Sequence, residues 1–440
     1  MALPAYLAQS SPNPASSRGP WYLNTAPSYA GVFLWVAFYQ QMAAGTIDRA
    51  PLLVCLAALA VAGLLSYALY YYVPAMLGMK TGYPLYVVGS STFGTTGGYL
   101  MPGLLMGLLQ VGWFAVGAFF STKYILQAIG SAAEPGSALF TGVAIAWSYS
   151  MAAIGIMGIQ YVARAAIFLN AIPLLMLAVV LYKTSPGISS YNATPTDPVG
   201  AFTLILQAVI GFFATAGAAG TDFGMGMRNE KDVRWGGLVG ISLAVLYAGG
   251  LPLLSVAGAK GLDPTITSFG YDAVIGSMGG FLATAMFALF AVASIVPACF
   301  CAFIAGNSFS TMIPSVSRTL STLVGVTIAV GLAVTGVAAN LVGFFSIVGA
   351  SFGPICGAMA ADWFLSGKKW AGPREGISIA GYGAWAIGFL VGILPFIGYP
   401  NVQPAVVYSF LTGFVVYIAL AKAGFQPKTV PLGAAKHKGA

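Results

Sequence analysis

The sequence predicts an all-α polytopic membrane protein with about twelve transmembrane helices. Its 440 residues are 58% hydrophobic and only 6% charged, with a mean hydropathy of +0.87, whereas a soluble domain carries about 25% charged residues. The apolar residues form continuous runs of about 20, the length of a helix that crosses a bilayer. Strands of a membrane barrel would instead alternate over about ten residues.

Short polar or Gly/Pro-rich connections separate the apolar runs along nearly the whole chain. A polar, Pro/Ser-rich start at 1–26 is expected to be flexible, and 425–440 is expected to form a cytoplasmic tail. A Gly-rich stretch at 78–98 is predicted to hold a short helix at 84–88. The predicted spans are 27–46, 52–77, 99–126, 138–162, 165–182, 201–227, 238–257, 280–305, 320–340, 342–365, 379–397 and 406–421.

The basic residues predict the orientation of these spans. An even number of spans puts both termini on one side, and the loops of that side hold 14 of the 18 Lys and Arg residues. Basic residues favour cytoplasmic loops, so both termini are predicted to be cytoplasmic in an inner or plasma membrane. This bias explains the net charge of +8 without a nucleic-acid partner.

Few side chains suit metal or acid–base chemistry. Cys55, Cys299, Cys301 and Cys356 all lie in apolar runs, where small apolar packing is their expected role. His437 is the single histidine, and most of the ten acidic residues lie in loops. No P-loop motif is present. The sequence therefore predicts that the protein is not an enzyme and has no resident cofactor.

The stretch 110–114 is the strongest candidate for a ligand site. Trp113 offers a large flat ring, and Gln110 lies three residues earlier, on the same face of a helix. Gly112 is expected to leave open space beside the ring. A flat face beside an amide suits a planar, hydrogen-bonding ligand, although Trp113 could equally pack against a neighbouring helix.

Spans one and six share a short sequence. Ala-Ala-Gly-Thr occurs at 43–46 and at 218–221, and small residues also dominate the run before the second copy, which includes Thr215. Paired Gly-interrupted segments in two halves point to a transporter site. Close helix packing is the alternative explanation.

Two polar residues need partners at membrane depth. Gln40 is expected either to line a cavity or to bond another helix. Asp222 should face water, a partner or the protein interior. With Arg228 and Lys231 just beyond it, Asp222 is a candidate for a gate or a structural ion pair, or for a proton carrier.

Several motifs together resemble bacterial cytosine permeases of the nucleobase:cation symporter family, also called the purine–cytosine permease family. They are Gln-Val-Gly-Trp-Phe at 110–114, Gly-Phe-Phe-Ala-Thr-Ala-Gly at 211–217, Thr-Asp-Phe at 221–223, Lys-Thr-Gly-Tyr at 80–83 and Ser-Thr-Phe-Gly at 91–94. The resemblance covers most of the chain in the number and order of spans.

The resemblance implies a LeuT-type fold with two inverted five-helix repeats, at 27–183 and 184–366, and two further helices at 367–424. Spans one and six would be unwound midway. The implied function is a secondary active transporter, a cation symporter that imports a nucleobase or related planar heterocycle such as cytosine or a purine by alternating access.

The resemblance also implies site residues. Trp113 would stack on the base, Phe213 would cover its other face, and Thr215 and Gln110 would lie near its edge. Gly217 and Gln40 are further candidate substrate contacts.

A coupling sodium ion would bind near Ser294 and the carbonyl groups of Ala37 and Phe38. Span eight departs from the family because Ser294 is its only hydroxyl at the expected depth, and Asp222 is followed by Phe-Gly-Met instead of an aromatic-x-Arg pattern. Proton coupling and a different planar substrate therefore stay open.

Two other classes of function remain. One is a LeuT-type transporter of another small solute, such as an amino acid. The other is a membrane enzyme or receptor without transport. Oligomeric state is left open by the sequence.

Overall fold

The computed structural model describes residues 3–192 and 195–432, without the side chains of 158–167. Every long described element is helical. The N-terminal half contains α1 (Ala5–Ala8), α2 (Thr25–Phe33), α3 (Val36–Gln41), α4 (Leu52–Thr81), α5 (Leu85–Val88), α6 (Ser90–Phe93), α7 (Gly97–Ala128), α8 (Ala138–Thr184) and α9 (Pro198–Ala218). The C-terminal half contains α10 (Gly220–Gly224), α11 (Glu230–Leu262), α12 (Tyr271–Ser277), α13 (Gly280–Ala293), α14 (Ile295–Met312), α15 (Arg318–Val334), α16 (Leu341–Leu365), α17 (Ile379–Ile393) and α18 (Ala405–Lys422).

The helices cover all twelve predicted spans, although the fourth and fifth, predicted as separate helices, are continuous in α8. Within the described ranges, ten helical segments are long and apolar enough to cross a membrane, and α8 supplies two of them, Ala138–Met157 and Phe168–Ser190. The shorter α15 and the broken pair α2–α3 occupy the two remaining predicted positions. The prediction of an all-helical polytopic membrane protein is confirmed.

Three of the spans contain a break in the helix. The first breaks between α2 and α3, where Trp35 adopts an extended conformation with φ −73° and ψ 135°. The sixth breaks at Ala219 and the eighth at Ser294. Irregular backbone at membrane depth is tolerated only where protein or a cavity surrounds it, so these breaks mark the interior of the molecule.

The shared tetrapeptide marks only one of the breaks. Residues 218–221 do flank the interruption at Ala219, but residues 43–46 lie beyond α3, in the turn that follows it. The break in the first span lies instead at Leu34 and Trp35. The repeated sequence therefore does not occupy equivalent positions in the two broken spans.

The N-terminal segment, predicted to be flexible, packs against the helix ends. Tyr6 and Leu7 are buried, and the Tyr6 hydroxyl donates to the Thr95 carbonyl at 2.7 Å. The Arg18 guanidinium donates to the Met79 carbonyl at 2.6 Å, near the C-terminal end of α4, where a cation suits the helix dipole. Polar side chains with carbonyl partners thus order a segment whose composition is typical of a disordered tail.

The tail is described as far as residue 432. The Glu375 amide donates to the Lys428 carbonyl at 2.9 Å, and the Val430 amide donates to the Pro373 carbonyl at 2.8 Å. His437 lies outside the described residues.

A buried ion pair joins α16 to the loop before α17. Asp362 accepts from Arg374 at 2.8 Å and from the Ser91 hydroxyl at 2.7 Å. Both charged side chains are about 5% exposed. Since an unpaired charge at this depth would be costly, the pair fixes the loop and α6 against α16.

Candidate substrate site

A cavity of about 370 Å³ lies along α2 and ends near the break in the first span. Its wall comes from α2, α7, α8, α9, α10 and α14, with Trp35 from the break before α3 and Ala219 from the break after α9, so every broken span contributes to it. The residues that line it are Leu23, Asn24, Pro27, Ser28, Gly31, Val32, Trp35, Gln110, Trp113, Asn170, Phe212, Thr215, Ala216, Ala219, Phe223, Val296, Pro297, Phe300, Cys301 and Ile304.

Trp113 lies in the wall with its ring held by other aromatic rings. Its centroid is 5.1 Å from that of Trp35, 4.8 Å from that of Phe212 and 4.9 Å from that of Phe344. The contacts with Phe212 and Phe344 are edge-to-face, the arrangement that aromatic quadrupoles favour. The indole is therefore fixed in orientation before any ligand binds.

The polar group of Trp113 is already bonded to Thr215. The indole Nε1 donates to the Thr215 hydroxyl at 3.0 Å. This bond joins α7 to α9 across the cavity wall. Trp113 is left with only its ring face to offer a ligand, while Thr215 keeps a hydroxyl hydrogen that it can donate.

Gln110 lies one turn before Trp113 and also lines the cavity. Among the described residues, its Nε2 has one hydrogen-bond partner, the Met106 sulfur at 3.7 Å. A thioether sulfur is a weak acceptor. The amide therefore retains both a donor and an acceptor for a ligand. Three predicted site residues, Gln110, Trp113 and Thr215, meet at one cavity.

Phe213 does not line the cavity. Its side chain is fully buried and stacks on Phe33 at 5.6 Å with an interplanar angle of 14°. The neighbouring Phe212 lines the cavity instead. Consecutive helical residues point about 100° apart, so the rotation of α9 places only one of the two phenylalanines in the wall, and the predicted Trp113–Phe213 sandwich is not formed.

Gly217 and Gly112 serve helix packing. A Cβ on Gly217 would lie 2.7 Å from the Cβ of Tyr70, and one on Gly112 would lie 2.5 Å from the ring of Phe344. Gly217 is thus required for the close approach of α9 to α4. The open space expected beside Trp113 is filled by Phe344.

Gln40 bonds other helices and is not among the cavity-lining residues. Its amide Nε2 donates to Asp272 at 2.6 Å, and its Oε1 accepts from the Tyr124 hydroxyl at 2.9 Å. Of the two expectations for Gln40, the structure shows the helix-bonding one.

The proposed ion residues lie at two of the breaks. Ala37 and Phe38 are fully buried in the short helix α3, and Ser294 separates α13 from α14. The Ser294 hydroxyl donates to the Phe290 carbonyl at 3.0 Å, which leaves its oxygen lone pairs free. Pro297 has no N–H, so the Ala293 carbonyl loses its usual helical partner.

Asp222 lies beside the cavity wall without an ion-pair partner among the described residues. Its Oδ1 accepts from the Leu85 amide at 2.7 Å, at the start of α5. Arg228 pairs instead with Asp232, at 2.9 Å. The structural ion pair with Arg228, one of the alternatives for Asp222, is therefore absent from the described contacts.

Several cavity residues were not predicted from the sequence, among them Trp35, Asn170 and Phe300. Trp35 marks the break in the first span, and Asn170 donates to the Pro27 carbonyl at 3.3 Å. An amide in an apolar run is a signal that could have pointed to Asn170, although the same signal pointed to Gln40, which bonds other helices instead. The aromatic rings carry no such signal, because 28 phenylalanines are spread through the chain.

The cavity wall carries no charged side chain among its lining residues. In the part of the chain that the structure describes, no group of three or more His, Cys, Asp or Glu side chains could hold a metal ion. The wall combines aromatic rings with amide and hydroxyl side chains, a composition that suits an uncharged ligand with a flat face and a polar edge.

Comparison of the chain with known proteins finds no matching family model and no matching curated protein. Solved structures do match. The chain is similar to Mhp1, a nucleobase-cation-symport-1 family transporter, in a closed conformation with bromovinylhydantoin bound, with a TM-score of 0.72 and 15% identity over 96% of each chain.

Two further solved structures resemble the chain over most of their length. One is a Na⁺-coupled sialic acid symporter in a substrate-bound outward-open state, with a TM-score of 0.63, 13% identity, and 94% and 92% of the two chains covered. The other is the Eremococcus coleocola manganese transporter, with a TM-score of 0.58, 12% identity, and 92% and 93% covered. The fold is that of the LeuT-type transporters.

Proposed function

We propose that the protein is a secondary active transporter of an uncharged planar heterocycle, such as a nucleobase or a hydantoin-like ring. The observation that carries the proposal is the uncharged cavity at the helix breaks, with the ring of Trp113 beside Gln110 and Thr215. The bound ligand named for Mhp1, a hydantoin, is a ring of this kind.

The proposed binding mode follows from the free groups in the wall. The substrate ring lies against the indole face of Trp113, with Phe212 in place of the predicted Phe213. The amide of Gln110 faces a ring edge that carries both a donor and an acceptor. An amino acid would bring two charges into a wall that offers no charged side chain to pair with them.

We further propose sodium as the coupling ion, bound between α3 and the break in the eighth span. The Ser294 hydroxyl and the freed Ala293 carbonyl supply oxygen ligands there, with the carbonyl groups of Ala37 and Phe38 opposite. Ring contact between Tyr39 and Phe290, at 5.2 Å, places α3 next to α13. Ser294→Ala should weaken sodium-dependent uptake more than sodium-independent substrate binding.

Proton coupling is the competing proposal, with Asp222 as the carrier. Uptake that ignores sodium and collapses when the proton gradient is dissipated would support it. In that case Asp222→Asn becomes the decisive variant.

A ligand screen tests the substrate class. The purified protein is heated with nucleobases, hydantoins or amino acids, each with and without sodium, because a bound ligand raises the melting temperature by mass action. Stabilisation by a nucleobase or hydantoin, and not by amino acids, is the expected result. Stabilisation by amino acids alone would overturn the proposed substrate.

A further inference from the structure

The two ends of the short helix α3 have different surroundings. Trp35, just before its first turn, lines the cavity, and the cavity continues along α2 to Asn24 and Leu23. Gln40, near the other end, is tied to residues of α7 and α12. Leu23 is exposed, so the cavity opens at this end, and its mouth and the Gln40 contacts lie at opposite ends of the first span.

Four residues form a connected polar cluster around Gln40, here called the clasp: Gln40, Lys123, Tyr124 and Asp272. The Asp272 carboxylate accepts from Gln40 at 2.6 Å and, through its other oxygen, from the Lys123 ammonium at 2.6 Å. The Gln40 oxygen accepts from the Tyr124 hydroxyl at 2.9 Å and from the Asp272 amide at 3.1 Å. The clasp joins α3, α7 and α12.

A layer of aromatic side chains lies next to the clasp, and we call it the plug: Tyr39, Tyr124, Tyr271, Phe287 and Phe290. Ring centroids in the plug are 5.2–6.2 Å apart. Tyr124 belongs to both sets, and α12 carries one member of each, Tyr271 and Asp272. Movement of α12 would therefore release the clasp and open the plug together.

The charge pair in the clasp is partly shielded from water. The side chain of Asp272 is 13% exposed and that of Lys123 is 39% exposed. Burial acts to raise the pKa of the Asp272 carboxyl, but the Lys123 ammonium and the Gln40 amide outweigh it and hold that pKa below its ordinary value. The carboxylate therefore stays ionised at neutral pH. Because solvent screens a partly buried ion pair less than a fully exposed one, this pair holds its two side chains together more strongly.

We propose that the clasp is a latch that keeps the molecule closed on the face opposite the cavity mouth. For that face to open, Asp272 must leave Gln40 and Lys123. The proposal rests on the proposed transport function, because a transporter must open its site to both sides. It assigns Gln40 to the latch and not to the substrate.

Ser121 provides a reporter for opening of the latched face. It lies on α7 between the cavity and the clasp, is fully buried and has no hydrogen-bond partner among the described residues. Ser121 lies four residues after Gly117, on the same face of α7, and at Gly117 this face contacts Trp35. The thiol of the Ser121→Cys variant would react with a hydrophilic reagent only when the latched face opens. Its labelling rate would be proportional to the fraction of molecules in which that face is open.

The native cysteines allow a clean background. Cys301 lines the cavity and is replaced by serine. Cys55, Cys299 and Cys356 are buried. Cys356, within α16, then serves as an internal reporter of unfolding in the purified protein.

The test compares labelling rates of Ser121→Cys with the clasp intact and broken. Asp272→Asn and Lys123→Met should each raise the rate by roughly threefold to tenfold, the population shift expected from the loss of an ion pair with supporting hydrogen bonds. The pair Lys123→Asp with Asp272→Lys should bring the rate back toward that of the intact clasp. Lys183→Met, an exposed lysine of α8, should leave it unchanged.

Two outcomes would overturn the latch. One is an unchanged rate at Ser121→Cys in both broken variants. The other is parallel labelling of Cys356, which would show that the clasp serves overall stability instead. Neither readout uses a substrate, so a failed ligand screen and a failed latch are separate results.

Discussion

At the scale of single residues, the cavity wall depends on which face of its helix each side chain occupies. Gln110 and Trp113 share a helical face by spacing alone, and both line the cavity. The choice between Phe212 and Phe213 depends on the rotation of α9, which neighbouring helices set. A run of apolar residues carries no information on that rotation, so the prediction of Phe213 was wrong.

The two phenylalanines offer a matched test of the wall. Phe212→Ala should weaken ligand binding, because its ring lies in the cavity and against Trp113. Phe213→Ala should lower the melting temperature and leave the affinity of the folded protein near that of the wild type, because its ring packs on Phe33. Affinity and melting temperature are measured on the same samples. Weaker binding in Phe213→Ala alone would restore the predicted sandwich.

The Asp272 carboxyl predicts a dependence of stability on pH. Lys123 and Gln40 lower its pKa in the folded state despite its burial, and the Tyr124 hydroxyl lies in the same cluster. A lowered folded-state pKa contributes stability above the unfolded value, about 3.9, which is lost as pH falls through the folded value. The stability difference between wild type and Asp272→Asn should therefore be constant from neutral pH to about pH 5 and shrink only below about pH 4. A difference that already shrinks near neutral pH would contradict this.

At the scale of elements, apolar runs located the helices well and the breaks poorly. Hydropathy reports the length of an apolar run but not the residue at which a helix ends. The twelve spans were therefore predicted with ends that differ from the structure by several residues. A break depends on the partners of a few backbone groups, as at Trp35 and Ser294. The order of the N-terminal segment was missed for the same reason, since carbonyl groups of other helices hold Arg18 and Tyr6.

A buried and an exposed arginine ion pair together test whether burial gives the Asp362–Arg374 pair its strength in holding the loop before α17. Arg374→Met should destabilise the protein by about 3–5 kcal/mol, because it leaves Asp362 buried without its partner. Arg234→Met removes an exposed pair with Glu230 and should lower the melting temperature far less, because solvent screens that pair. Thermal melting in detergent compares the two. Equal effects would mean that burial does not govern the strength of the Asp362–Arg374 contact.

At the scale of the whole molecule, composition and run length predicted the class of protein, and the solved structures show the LeuT-type fold at 15% identity or less. The fold survives such divergence because it depends on helix lengths, small residues at contacts and broken spans. Substrate identity depends on a few side chains in one cavity. Which side chains line that cavity depends on how the helices pack, so the sequence alone does not identify them.

The distribution of basic residues predicts the orientation of the whole molecule. With 14 of 18 on one side, a cysteine introduced beside His437 should resist an impermeant thiol reagent applied outside intact cells. A cysteine at Lys183, assigned to the opposite side, should react and serves as the control. Ready labelling at the tail would reverse the orientation.

The most direct test of the proposed site is the affinity of Trp113→Ala for the best ligand from the screen. Stacking of a base on an aromatic ring is worth roughly 1–3 kcal/mol, so affinity should fall roughly fivefold to a hundredfold. Trp113→Phe should recover much of it. Trp385→Ala removes a tryptophan outside the cavity, whose Nε1 donates to the Ser351 carbonyl at 3.1 Å, and should lower stability without loss of affinity. Wild-type affinity in well-folded Trp113→Ala protein would contradict the assignment of this cavity as the substrate site.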